Sequence, residues 1–204
     1  MGTMMPELPN EKRERFSAYN QASHNFYSRL PVLRPREIAI LGGAFLESGL
    51  RHLLDSRFTD KSDKLFESGS LISMESRAKL ARALGCFPTQ ILSELLVLGE
   101  IRNFFAHRYG VDDFDHPDIM KMTKKLSLRS TRDAAKYFES VVPELKFADR
   151  PLPGSENSFA ITDEQGFALL RIDLSMEDAS QVYYENSLKI TWSTLVLATV
   201  YSPR

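Results

Sequence analysis

The chain has 204 residues, of which 43% are hydrophobic and 26% charged, and its formal net charge is −1. This is the balance of an ordinary soluble globular protein, with no global electrostatic pull toward nucleic acid, so any contact with a polyanion needs a local patch. Cys86 is the only cysteine, which excludes an internal disulfide and a cysteine-rich metal site.

The start of the chain carries no signal-peptide pattern, so the cytoplasm is the expected location. Gly2 lacks the Ser or Thr spacing of a myristoylation signal. Residues 1–12 are polar and Pro-containing and read as a loose segment ahead of a single helical domain over 13–204. A helical pattern runs from Arg13 to Leu30 and is closed by Pro31 and Pro35. Over residues 36–58, Ala39, Gly43, Leu46, Leu50 and Leu53 form a stripe at helical spacing. Gly42, Gly43 and Gly49 each cost about 1 kcal/mol of helix propensity relative to Ala. Close approach of a neighbouring helix would offset that cost.

Ser70 or Ser73 is expected to cap a short helix running to Leu84, with Gly85 as its stop and Pro88 beyond. Arg77, Leu80 and Leu84 would form its inner face. The next helix is expected from Thr89, as N-cap, to Gly110. Another is expected near 116–127, with Asp115 as N-cap ahead of Pro117. A further helix is expected in "STRDAAKYFESVV", capped by Ser130 or Thr131 and stopped by Pro143. Residues 143–176 change character, with three Pro, two Gly and short alternating runs, and read as an irregular insertion with room for a small hairpin. A terminal helix over 177–201 completes the core. Its apolar run "ITWSTLVLATVY" is too short to span a bilayer. The predicted fold is therefore all-α: a helical bundle with a core over 36–142 and an insertion before the last helix.

The chemistry concentrates in "IRNFFAHRYG", residues 101–110. Ile91, Leu95, Leu98, Arg102 and Phe105 fall on one helical stripe, so Arg102 occupies a position in an apolar seam. A guanidinium there needs a partner, a cavity or a subunit interface. Asn103 and His107 share an adjacent face. Arg102 and His107 stand about 140° apart on an ideal helix, within bending reach for a long side chain. Arg, Asn and His together suit metal-free phosphodiester chemistry: the imidazole moves the proton of a ribose 2′-OH while the guanidinium stabilises the charged phosphorane. The structural alternative pairs Arg102 with Glu47 and leaves His107 to complement the helix dipole.

Other candidates are fewer. Arg77 suggests a second structural ion pair, to Glu47 or Glu100. Lys121, Lys124, Lys125, Arg129 and Arg132 form a basic run that could follow an RNA backbone or simply face solvent. The acidic residues over 156–185 could shield that run. "VDDFDHPD" gathers four Asp and His116 in a loop, but it lacks the Gly and terminal Glu of an EF-hand, and no metal site is assigned. His24 and His52 read as surface positions and Cys86 as a small buried hydrophobe. No dinucleotide, Walker or nucleophile-elbow motif is present, and no cofactor is expected.

Two resemblances sharpen the reading. "RNFFAH" resembles the R-x₄₋₆-H signature of HEPN domains. More broadly, "FLESGLRHLLDSRF" (45–58), "LFESGSLISMESRAKLARALGCF" (65–87) and "LLVLGEIRNFFAH" (95–107) together resemble the mannitol operon repressor (MltR) family. The terminal "YYENSLKITWSTLVLATVY" is similar to that family's last helix. The first resemblance implies a metal-independent endoribonuclease, a toxin or defence effector. Its catalytic set would be Arg102, Asn103 and His107, converging from two subunits. The second implies a cytoplasmic transcriptional regulator working through an unidentified protein partner, as a homodimer. With no exposed reader helix, direct DNA binding is not expected.

Overall fold

The computed structural model describes residues 10–58, 66, 71–128, 137, 146–148, 158–162, 168–173 and 180–200. Six α-helices are seen among them: α1 (Asn10–Tyr27), α2 (Pro35–Asp55), α3 (Met74–Ala83), α4 (Thr89–His107), α5 (Pro117–Thr123) and α6 (Ser180–Val200). A single 3₁₀ turn, Leu30–Val32, links α1 to α2. The described structure is mostly helical, as the apolar periodicity predicts.

The helix ends follow local chemistry. Pro35 opens α2, and the Arg34 main-chain N–H donates to the Glu37 carboxylate at 3.0 Å. Ser73 caps α3, its hydroxyl accepting from the Ser76 N–H at 3.1 Å. At the other end Gly85 adopts φ +74°, while Cys86 N–H reaches Ala81 O and Gly85 N–H reaches Arg82 O, each at 3.0 Å. This is a Schellman closure, which the left-handed conformation of glycine permits. Because Ser73 supplies an otherwise missing acceptor, Ser73→Ala is expected to cost about 1 kcal/mol. A urea titration beside the parent checks this; an unshifted midpoint would mean the cap contributes nothing.

Several expected ends are corrected. Helix α1 begins at Asn10, inside the segment expected to be loose, and ends at Tyr27 rather than Leu30, while α4 ends at His107 rather than Gly110. Pro88, not Thr89, occupies the N-cap of α4. The Thr89 hydroxyl instead accepts from the Arg82 guanidinium at 3.2 and 3.3 Å, joining α3 to α4. The N-cap of α5 is His116, whose Nδ1 accepts from the Asp118 N–H at 3.3 Å; Asp115 lies one residue earlier, its own N–H donating to Asp113. The α5 helix also stops at Thr123 rather than near 127, because the chain turns to bring the Ser127 N–H onto the Glu94 carboxylate at 2.7 Å. Of the helix expected after Thr131, only Tyr137 is described, helical and buried.

Three strands lie within the insertion: β1 (Lys146–Ala148), β2 (Ser158–Thr162) and β3 (Ala168–Asp173), in an antiparallel sheet of order β1-β2-β3. The sequence pattern points to a hairpin only, and β1 adds the third strand. The register is irregular between Ile161 and Thr162, and β3 lies against α1 and α6.

Helix α2 is the hub, in contact with α3, α4 and α6. Its Ile38, Leu46, Leu50, Leu53 and Leu54 meet the buried Ile91, Leu95, Leu98, Ile101 and Phe105 of α4 in one continuous core. Its glycines serve close approach. A Cβ at Gly42 would lie 3.0 Å from Leu188 and Tyr184, and one at Gly49 would lie 2.7 Å from Trp192, so both positions admit α6. Gly43 faces α4 instead, where a Cβ would lie 2.5 Å from Arg102 Cγ.

Helix α6 is buried on nearly all sides. Three of its hydroxyls are satisfied within the helix: Ser193, Thr194 and Thr199 donate to the carbonyls of Lys189, Ile190 and Leu195 at 2.7–3.0 Å. A Ser/Thr-bearing helix can thus sit at the centre of the core with most of its hydroxyls paired, the buried Thr191 hydroxyl being the exception among the described residues of α6. Among the described residues, no helix is long and apolar enough to cross a membrane.

Candidate functional site

Arg102 is positioned by α2. Its stem passes over Gly43, and Glu47, one helical turn further along the same face, meets its head: Nη2 stands 3.5 Å from Glu47 Oε2. Nη1 donates to Asn103 Oδ1 at 2.8 Å. The pair is half-buried, with 31% of the Arg102 side chain and 25% of the Glu47 side chain exposed. Arg102 therefore turns toward α2 rather than bending toward His107. The missing side chain at Gly43 decides this, since it opens the channel along which the stem runs.

The guanidinium ends in a groove of about 720 Å³ between α2, the α3 N-terminus and α4. Leu95, Leu96, Gly99 and Met74 line its floor, Ile72 and Ser73 one wall, and Glu47, Glu75, Glu100, Arg102 and Asn103 its rim. Glu47, Glu75 and Glu100 thus share the groove with Arg102, which pairs with Glu47. Glu75 is engaged by Lys79 at 2.5 Å and Glu100 by Lys125 at 3.5 Å, both through solvent-exposed pairs.

His107, the last residue of α4, is exposed and does not line the groove. Next to it, the Arg108 guanidinium lies over the Phe104 ring at 5.5 Å, and Tyr109 is fully exposed. Within one chain the structure joins Arg102 with Asn103 and Glu47, and leaves His107 outside that set.

Arg77 departs from its expected role. Instead of pairing with Glu47 or Glu100, its guanidinium donates to the Leu71 and Phe66 carbonyls at 2.8 and 3.1 Å and lies over the Phe66 ring at 5.5 Å. The inner face of α3 is Met74, Ala78 and Ala81; Leu84 is substantially exposed. Arg77 thus fastens the chain ahead of α3 to that helix through main-chain carbonyls.

The basic run divides. Lys121 stands 3.7 Å from Asp118, Lys125 is engaged with Glu100, and Lys124 is exposed. Arg129 and Arg132 lie outside the described residues, as does most of the acidic stretch. Among the described residues, no group of three or more His, Cys, Asp or Glu side chains is placed to hold a metal ion. His24 and His52 are exposed, and Cys86 is buried, its thiol pushed up by desolvation.

One polar centre escapes a reading of the seam alone. Glu94 is 1% exposed, and its carboxylate accepts from the Ser127 N–H and hydroxyl, each at 2.7 Å, and from the Ser187 hydroxyl. It stands three residues after Ile91 and four before Leu98, on the apolar face. That carboxylate in an apolar stripe is the signal by which sequence could have found it. Nearby, the buried Tyr184 hydroxyl, kept protonated by burial that pushes its titration upward, donates to Ala39 O at 3.0 Å.

No family model matches this sequence, and searches of curated proteins and of solved structures return no match.

Proposed function

We propose that this chain is a cytoplasmic regulatory domain of the mannitol operon repressor kind, acting on transcription as a homodimer through contact with another protein. The observation that carries this reading is the setting of Arg102. It is held by Glu47 and Asn103 at the end of a groove with an apolar floor and an acidic rim. An apolar cleft with a few convergent polar groups suits recognition of a peptide surface. The same rim repels a polyanion, and the exposed lysines beyond it are partly engaged by Asp118 and Glu100. The three segments that resemble the repressor family include the walls of this groove.

A metal-independent ribonuclease is the second reading. Asn103 and His107 are both exposed one turn apart at the end of α4, where a second copy can reach them. The test is incubation of the purified protein with single-stranded and structured RNAs in EDTA across pH 6–8, beside His107→Ala. The expected result is no cleavage by either protein. Cleavage by the parent that His107→Ala abolishes, with an unchanged melting temperature, would replace the regulatory reading with the ribonuclease.

A further inference from the structure

Gly99 stands inside α4, where a glycine costs about 1 kcal/mol relative to alanine. The close contacts of Gly42, Gly43 and Gly49 give those residues a steric reason that Gly99 lacks. Among the described residues, a Cβ at Gly99 would meet Met74 Sδ alone, at 3.5 Å, an ordinary van der Waals distance. Its backbone is not in the positive-φ region that favours glycine either. What its missing side chain does is leave space in the groove that Gly99 lines with Leu95, Leu96 and Met74.

The groove's 720 Å³ is within the range of about 300–1,000 Å³ typical of ligand clefts. Ile72 at its wall is 55% exposed, a large aliphatic side chain left facing solvent. Among the described residues, Glu75 and Glu100 on the rim pair with exposed lysines, contacts worth little in water that an incoming cation can replace.

We propose that the groove over Gly99 is a docking site for a basic amphipathic segment of a partner protein. One large aliphatic side chain seats over Gly99, and flanking Lys or Arg side chains meet Glu75 and Glu100. Among the described lining residues three carboxylates stand against one guanidinium, and with Lys79 and Lys125 displaced this balance favours a cationic segment over an acidic one. This rests on the protein-contact reading and specifies the partner's chemistry.

The test uses the full chain and two labelled synthetic amphipathic peptides with the same leucine pattern, one carrying lysines on its polar face and the other glutamates. Fluorescence anisotropy should show saturable binding of the lysine peptide, at least about tenfold tighter than the glutamate peptide. Gly99→Leu should weaken it by about tenfold or more while melting no lower than the parent, since leucine is the better helix former and has room. The double charge reversal Glu75→Lys/Glu100→Lys, on exposed positions, should invert the preference even if Gly99→Leu folds poorly. A preference for the glutamate peptide, equal binding by the folded Gly99→Leu variant, or no saturable binding would overturn the proposal. So would an RNA oligonucleotide that binds the parent and is lost with Gly99→Leu.

A crosslinking arm separates this failure from failure of the protein-contact reading. A photoreactive side chain is placed at Ile72, in the groove, or at Tyr109, outside it, in cells that naturally make the protein. A polypeptide adduct from Tyr109 alone overturns the groove and keeps the reading. Adducts from neither position overturn both.

Discussion

Glu94→Ala is expected to lower the free energy of unfolding by about 2–5 kcal/mol, the largest single effect among the polar positions. The carboxylate is inside the core, and its acceptor capacity is shared between the turn after α5 and the buried helix α6. Its loss removes the acceptor of the Ser187 hydroxyl, which is fully buried. It also removes the hook that ends α5 and brings Leu126 and Leu128 into the core. Glu94→Gln should fall between alanine and parent, because one carbonyl oxygen remains as an acceptor. In the double variant Glu94→Ala/Ser187→Ala the two losses should not add. The shared hydrogen bond is lost only once, and a coupling of about 1–3 kcal/mol is expected. Urea titrations of the four proteins measure the cycle. Additive losses would mean that the two residues act independently and the network has been misread.

Trp192→Ala should cost about 3–5 kcal/mol by leaving a large cavity. The indole reaches two other helices: its ring stacks on Phe45 of α2 at 3.8 Å, and its N–H donates to the Ser23 hydroxyl of α1 at 2.6 Å. Those fixings make Gly49 intolerant. A methyl group there would lie 2.7 Å from Trp192 Cζ3 and 3.1 Å from Leu195 Cδ1, and the ring is not free to yield. Gly49→Ala alone is expected to destabilise by about 1–2 kcal/mol, with overpacking outweighing the gain in helix propensity. In the Trp192→Ala background the sign should reverse, because the methyl group then enters vacated space into which the Leu195 side chain can also yield, leaving the propensity gain to dominate. Thermal melts of the two single variants and the double variant decide it. If Gly49→Ala is as harmful without the indole as with it, steric contact is not the reason for glycine at 49.

Much of this architecture was legible from local chemistry. Pro35, Ser73 and Gly85 act on the residues beside them, so the neighbouring helix ends could be read nearly in place. The role of the α2 glycines followed from their cost inside a helix, and Glu47 was nameable as a counter-charge for Arg102. Long-range choices were less visible. Arg77 satisfies itself on the carbonyls of Phe66 and Leu71, acceptors that every residue carries and no sequence pattern marks. Glu94 sits among leucines because of Ser127 and Ser187, 33 and 93 residues away. The three-residue β1 is too short for its alternation to register, and pairing with β2 defines it. At the site, the spacing of Arg102 and His107 on an ideal helix left bending open, whereas the channel over Gly43 depends on how α2 meets α4.

The placement of α6 has a consequence for the order of events during synthesis. Its Tyr184 bonds to Ala39, 145 residues earlier, and its side chains pack against Gly42 and Gly49 of α2. At about 5–20 residues per second, a ribosome takes roughly 7–30 s to bring the second residue out after the first. Throughout that interval the face of α2 that carries Gly42 and Gly49 lacks its final cover. The nascent chain therefore passes through a stage in which α2 to α5 can gather but cannot close, and a chaperone that recognises aliphatic helix faces would find its substrate there.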